Sequence, residues 1–156
     1  MDIPNAVLEA YGLHNTISEV KTFGTGLINH TWKIEAAGKT YILQRINTQV
    51  FQEPKAIASN IQSVADYLNQ HYPAYFFPAP LLTLDGKEMA YTNEDDGSYY
   101  RIFIFVDGSH SKDIVQDATQ AYEAAAQFGK FTELLSGFDI TALKITLPDF
   151  HNLSLR

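Results

Sequence analysis

The sequence predicts an α+β fold: an antiparallel sheet with one helix packed on it, then a short linker and a further helix. Three observations predict it. Residues 17–46 hold three runs rich in β-branched and aromatic residues, separated by a glycine-bearing turn, Gly24 to Asn29, and a tight turn at Ala37-Gly38. After Pro54 the apolar residues take up a helical period. A second β-rich stretch then runs to Val106 before the character changes at Asp107-Gly108-Ser109-His110-Ser111.

Taken in order, Pro4 to Tyr11 predicts a short helix with Asp2 as its cap and Gly12 as its stop. Ile17 to Phe23 carries Ile17, Val20 and Thr22 and predicts a strand running into the glycine turn. His30 to Glu35 is its return, and Thr40 to Ile46 is a mostly apolar third strand. Ile57, Ile61, Val64 and Leu68 mark one helix face, with Pro54 suited to the first turn and Pro73 ending the run. Leu81 to Leu84 and Glu88 to Tyr91 flank Asp85-Gly86-Lys87, which predicts a β-hairpin. Asn93 to Ser98 is a polar loop, and Tyr99 to Val106 is a strand. Ala118 to Leu135 predicts a helix capped by Asp117 or Thr119 and ended by Gly137, with Tyr122, Phe128 and Phe131 on its apolar side. The tail, Leu147 to Asn152, is irregular.

Composition removes several kinds of chemistry. With no Cys there is no disulfide, thiolate metal site or cysteine nucleophile. No Gly-x-Ser-x-Gly elbow argues for a serine hydrolase. His30, His110 and His151 lack metal-ligand spacing, so no metal ligand is assigned. Glu94, Asp95 and Asp96 read as a solvated turn. The net charge is −7 and every Lys and Arg is isolated, which argues against a groove tracking nucleic acid. No apolar run of about 18 residues predicts a membrane span. The first residues lack a basic, apolar leader, so a cytoplasmic protein is expected.

The chemistry-bearing stretch is Phe23 to Asn47. A hairpin with Gly24 and Gly26 can lay backbone amides over a phosphate chain, because glycine lets the backbone approach closely. Thr25 lies between them. Asn29 stands where a third glycine would complete Gly-x-Gly-x-x-Gly; it tolerates left-handed backbone angles and offers an amide. An ordinary hairpin is the plainer account of the motif alone. Arg45, on the third strand, can grip phosphate oxygens bidentately, or it is a surface residue at a strand end. Gln44 points to the face opposite Arg45, so a register one residue different would turn Gln44, not a cation, to the pocket. Glu53 is either a partner for Arg45 or a helix N-terminal acid favoured by the macrodipole.

Phe23-Gly24-Thr25-Gly26-Leu27-Ile28-Asn29-His30-Thr31 followed by Tyr41-Ile42-Leu43-Gln44-Arg45-Ile46-Asn47-Thr48 resembles the aminoglycoside phosphotransferase/choline kinase superfamily, and more narrowly the N-acetylhexosamine 1-kinase group. Tyr99-Tyr100-Arg101-Ile102-Phe103, the run Gln120 to Phe131, and Leu147-Pro148-Asp149-Phe150-His151-Asn152 are similar to the same group. The resemblance covers most of the chain. It implies a kinase-like small lobe over residues 1–106. The hinge and first large-lobe helix would then occupy residues 107–156. It implies ATP and Mg²⁺ as cofactors and a sugar such as an N-acetylhexosamine as substrate. Gly24, Thr25, Gly26, Asn29 and Arg45 would meet the phosphates. Ile42 and Phe105 would wall the base, and the backbone of Phe105, Val106 and Asp107 would read its edge. The family's His-Gly-Asp catalytic loop and its metal-binding Asp do not occur in these 156 residues. No catalytic residue is therefore assigned, and the chain alone is expected to be inactive. The other reading is a naturally short, kinase-derived nucleotide-binding or interaction module. Without a large lobe to cover it, the apolar side of helix 118–135 is expected to pair two copies.

Overall fold

The computed structural model describes residues 3–94, 97–110, 112–150 and 152–155. Alternation along three strands sets its architecture. Strands β1 (Ile17–Thr22), β2 (His30–Ala36), β3 (Lys39–Arg45), β4 (Ala90–Thr92) and β5 (Ser98–Ile104) form one antiparallel sheet in the order β1-β2-β3-β5-β4. Trp32, Ile34 and Ala36 of β2, Tyr41 and Leu43 of β3, and Tyr100 and Ile102 of β5 are buried together. They share one face of the sheet because every second residue of a strand does. The β2–β3 connection is the two-residue turn expected at Ala37 and Gly38, with φ of 52° and 71°. Positive φ at both positions matches the twist of a tight hairpin.

The buried face is closed by α1 (Asn5–Ala10). Six residues are far too few for an isolated helix. Packing holds this one: Val7, Leu8 and Leu13 join the sheet's core. Its N-cap is Pro4; Asp2, the expected cap, lies outside the described residues. Tyr11 completes the seal. Its hydroxyl donates to the Tyr100 carbonyl at 3.0 Å and accepts from the Ala90 amide at 3.3 Å. Ala90 and Tyr100 are register partners, so one phenol stitches α1 to two strands.

The hairpin expected across residues 81–91 is not a β-hairpin. The Asp85-Gly86-Lys87 turn does form, organised by Thr83, whose amide donates to the Lys87 carbonyl at 2.8 Å while its hydroxyl accepts from the Lys87 amide at 2.9 Å. Its two arms do not pair as strands. Leu81 bridges Ile102, and Ala90–Thr92 pairs with Ser98–Tyr100. Both arms lie along the same edge of β5, one beyond the other, so neither can be the other's ladder partner. Ser98, expected in a loop, already belongs to β5.

On the sheet's second face lies α2 (Pro54–His71), with Pro54 in its first turn. Leu68 of the predicted stripe is buried, but the other fully covered residues are Pro54, Ala56, Ala58 and Ala65, while Ile57, Ile61 and Val64 are half-buried. Ala58 sits in a small cluster with Ile46 and Met89, flanked by Phe51 and Tyr99. The third helix, α3 (Ala118–Leu134), is capped by Asp117, whose carboxylate accepts from the Gln120 amide at 2.9 Å; Thr119 is not the cap. Gly137 does not have the positive φ of a helix-ending glycine. It is small because Tyr67 is there: a Cβ at Gly137 would stand 2.9 Å from the Tyr67 hydroxyl oxygen. No α3 residue is buried, and Tyr122 and Phe128 are 70% and 75% exposed. The helix leans on the chain before β4 through Phe77 and Phe131, whose rings stack 5.9 Å apart. Beyond it, Asn60 of α2 exchanges two hydrogen bonds of 2.8 Å with the Lys144 backbone. Among the described residues no helix is long and apolar enough to cross a membrane.

Burial pushes the Tyr11 hydroxyl up to about 12 from 10.0, partly offset by the Ala90 amide. A raised folded-state value favours the neutral phenol. Its contribution to stability is therefore complete below about pH 10 and lost as pH rises through the folded value. Replacing Tyr11→Phe should cost about 1 kcal/mol at neutral pH by removing two hydrogen bonds. Urea unfolding at neutral pH and at about pH 11 checks this, because the variant should lose less stability than the parent over that interval.

Candidate functional site

The second face of the sheet leaves two rows of side chains beside α2. In one row Lys33, Ile42 and Phe103 are register partners on β2, β3 and β5; in the next, Thr31, Gln44 and Arg101 are. Ile42 and Phe103 floor an open recess of about 410 Å³, walled by Phe23, Phe105, Val106 and His110. Phe23, at the root of the glycine segment, meets Phe105 edge-on with ring centres 5.9 Å apart. The Lys33 ammonium lies 4.5 Å from the Phe105 ring centre, close enough for a cation–π contact.

The connector after β5 offers backbone groups at the recess edge. The Phe105 amide is used by the Thr40 carbonyl at 3.0 Å, and the Val106 carbonyl by the Ser109 amide at 3.1 Å. The Phe105 carbonyl and the Val106 and Asp107 amides make no hydrogen bond among the described residues. An acceptor and donors thus stand beside an apolar slot.

The glycine segment is open. Gly24 has φ of 80°, Gly26 an ordinary angle, and a Cβ at either would meet nothing within 4 Å. Thr25 donates from its hydroxyl to the Asp113 carboxylate at 3.2 Å, reaching past the connector. Asn29 is not in the left-handed region; among the described residues the non-glycine positions with positive φ are Ala37 and Asp149. Its side-chain oxygen instead accepts from the Asn47 amide at 3.0 Å, while the Asn47 side chain donates to the Ile28 carbonyl at 3.2 Å. Asn29 therefore anchors the segment's return to the chain after β3.

Arg45 is not brought to the recess. Strand alternation turns it away from Ile42, and its Nε donates to the Ser98 hydroxyl at 3.0 Å. It lines a separate polar hollow of about 310 Å³ with His30, Asn47 and Thr48. The β3 residue on the Ile42 face is Gln44. Its side-chain oxygen accepts from both Nε and Nη2 of Arg101, at 3.1 and 3.0 Å, and its amide donates to the Thr31 hydroxyl at 3.3 Å. Glu53 stands at the N-cap of α2 and pairs with no cation among the described residues. Among the described residues no three His, Cys, Asp or Glu side chains gather as a metal site. His151, Asp95 and Asp96 lie outside the described residues. Phe23 and Phe103 line the recess and Lys33 and Arg101 share its sheet face, and sequence reasoning singled out none of the four as site residues. Arg101 left one signal, a lone cation inside an aromatic strand, but its neighbours depend on register.

An antiparallel five-stranded sheet with a glycine turn, one helix beside its open face and a connector leading to a further helix is the N-terminal lobe of a kinase-like fold. Residues 19–154 match the model of the phosphotransferase enzyme family, and the chain belongs to that family. Three solved structures are similar. An amicoumacin kinase, hAmiN, in complex with AMP-PNP, Ca²⁺ and Ami shares 14% identity at a TM-score of 0.61, with 85% of this chain covering 38% of that one. A microcompartment-associated aminopropanol kinase shares 15% at 0.58, with 94% covering 42%. A spectinomycin phosphotransferase in complex with ADP and spectinomycin shares 13% at 0.56, with 87% covering 37%. The chain thus spans about two fifths of these proteins' length, and at such identities the likeness establishes the fold.

The two glycines should respond differently to a methyl group. Gly24→Ala forces a left-handed angle on an L-residue and should cost about 1 kcal/mol. Gly26→Ala should be neutral or stabilising by up to about 1 kcal/mol through the unfolded state. Thermal unfolding of both variants measures the difference.

Proposed function

We propose that this chain is the nucleotide-binding N-terminal lobe of an ATP-dependent small-molecule kinase, with residues 1–106 as the lobe and residues 107–156 as the hinge and the start of the second lobe. The observation that supports this most is the apolar slot between Phe23, Ile42 and Phe105, edged by the Phe105 carbonyl and the Val106 and Asp107 amides, which make no hydrogen bond among the described residues. A flat heteroaromatic base needs such a slot, with a few polar groups at one edge to fix its orientation. Its size is within the usual range for a small-molecule site. Gly24, Thr25 and Gly26 would cover the phosphates with backbone amides. Asn29 holds that segment through Asn47. Arg45, on the opposite face, is left out of this set.

When bound, ATP supplies the transferable phosphoryl group and Mg²⁺ neutralises charge developing on it. This chain's residues contribute holding and orientation. The base and metal ligands belong to sequence of the His-Gly-Asp type that these residues do not contain. An N-acetylhexosamine acceptor rests on sequence resemblance alone; the solved structures carry or name acceptors as different as spectinomycin and aminopropanol. The reading places the protein in the cytoplasm, where ATP is abundant.

Calorimetric titration tests the reading. Adenosine and ATP should both bind the purified chain, no ADP should form on adding Mg²⁺ and an N-acetylhexosamine, and Ile42→Glu should abolish adenosine binding. Absence of binding by the parent chain rejects the proposal.

The uncovered side of α3, with Tyr122 and Phe128, is where the second lobe would pack. In the 156-residue chain this surface should instead pair two copies. Sedimentation should show a concentration-dependent dimer that Phe128→Asp weakens; a strict monomer at high concentration rejects it.

A further inference from the structure

We propose that Arg101, contributed by β5, is the cation that meets the nucleotide's phosphates in this cleft, and that Gln44 of β3 is its positioning residue. The inference rests on the nucleotide reading above and goes further by placing the positive charge on a different strand from the basic residue that the sequence suggested.

Position comes first. The Thr31–Gln44–Arg101 row lies two residues from the Lys33–Ile42–Phe103 row on the same face, which is about 7 Å along a strand. The step is toward His30 and Asn29, and so toward the glycine segment. A base on Ile42 and Phe103 would therefore have its phosphates running past Gln44 and Arg101 before reaching Gly24 and Gly26.

Orientation is fixed as well. Two nitrogens of the Arg101 guanidinium hold the Gln44 oxygen at 3.1 and 3.0 Å, and Gln44 is itself held by Thr31. The guanidinium carbon lies 5.2 Å from the centre of the Phe103 ring, which floors the recess. A planar fork pinned in this way keeps its remaining nitrogen, Nη1, for another acceptor, and loses little freedom when it takes one. Nη1 makes no hydrogen bond among the described residues.

Among the described residues no carboxylate pairs with Arg101; Glu88 lines the narrow crevice beside it without forming an ion pair. An amide oxygen orients a guanidinium but cannot neutralise it. Desolvation lowers the affinity of Arg101 for its proton, yet arginine stays charged at any ordinary pH. A largely covered cation with no anion is costly, and a polyphosphate arriving in the cleft removes that cost. Two further cations lie on this face: Lys33 is engaged with Phe105 in the base row, and Lys21, its register partner on β1, is paired with Glu19.

The experiment is titration of the full chain with adenosine and with ADP, using Arg101→Met, Arg101→Lys and Gln44→Glu. Gln44→Glu keeps the shape and places a carboxylate on the guanidinium, so it tests the charge without removing Arg101. Arg101→Met and Gln44→Glu should each weaken ADP by roughly 10- to 100-fold, the worth of a charged hydrogen bond, while adenosine binding stays unchanged. Arg101→Lys should recover part of the loss. Parental ADP affinity in both Arg101→Met and Gln44→Glu overturns the proposal and leaves the base slot standing. Equal losses of adenosine and ADP also overturn it, since Arg101 would then support the slot. If the parent chain binds neither compound, the nucleotide reading fails and this inference with it.

Discussion

Burial of Tyr41 and Leu43 against Trp32, Ile34, Tyr100 and Ile102 is the constraint on which the rest of this lobe depends. A strand has two faces and a period of two, so once those side chains are committed inward, Ile42 and Gln44 must look the other way. A slip of one residue would exchange the faces and bury Gln44 in the core. The six-residue α1 matters out of proportion to its length because it closes this inward face, with Tyr11 locking β4 to β5. The outward face is then left for α2 at one end and the recess at the other.

That division separates parts that hold from parts that work. The inward face is apolar and sealed. The outward face carries Lys33, Gln44, Arg101 and Thr31, which a core could not hold at low cost. They are tolerated because the three side chains of one row bond one another across three strands, and among the described residues no buried side-chain polar atom lacks a partner. The glycine segment is exposed almost throughout and is tied to the body by Asn29, Asn47 and Thr25. Few buried contacts and a few polar ties describe a segment of low local stability that can shift without unfolding the sheet.

The order of elements was legible because each has a local signature. Glycine and Ala37-Gly38 punctuate β1 to β3, Pro54 opens α2, and Asp117 caps α3. The arms of the 81–91 turn were misread because both are apolar and flank a good turn, and only the shared edge of β5 shows that they cannot pair. Gly137 reads in the sequence as a helix stop, whereas the Tyr67 hydroxyl brought from α2 requires its smallness. The choice between Gln44 and Arg45 was open for the same reason. Which face of a strand is inward depends on partners distant in sequence, and Arg101 is 57 residues from the amide that holds it.

The Asn60–Lys144 pair has a mechanical consequence. The chain from α3 onward is joined to the sheet by the covalent connector after β5, at Phe105 to Ser109. It is joined again to α2 by the two short hydrogen bonds of Asn60 and by the Tyr67–Phe138 ring contact at 5.3 Å. The stack of Phe131 on Phe77 fastens α3 a third time. A segment tied at the connector, at α2 and at the chain before β4 has no free hinge. To swing away from the sheet it must give up the Asn60 clasp and the aromatic stack together.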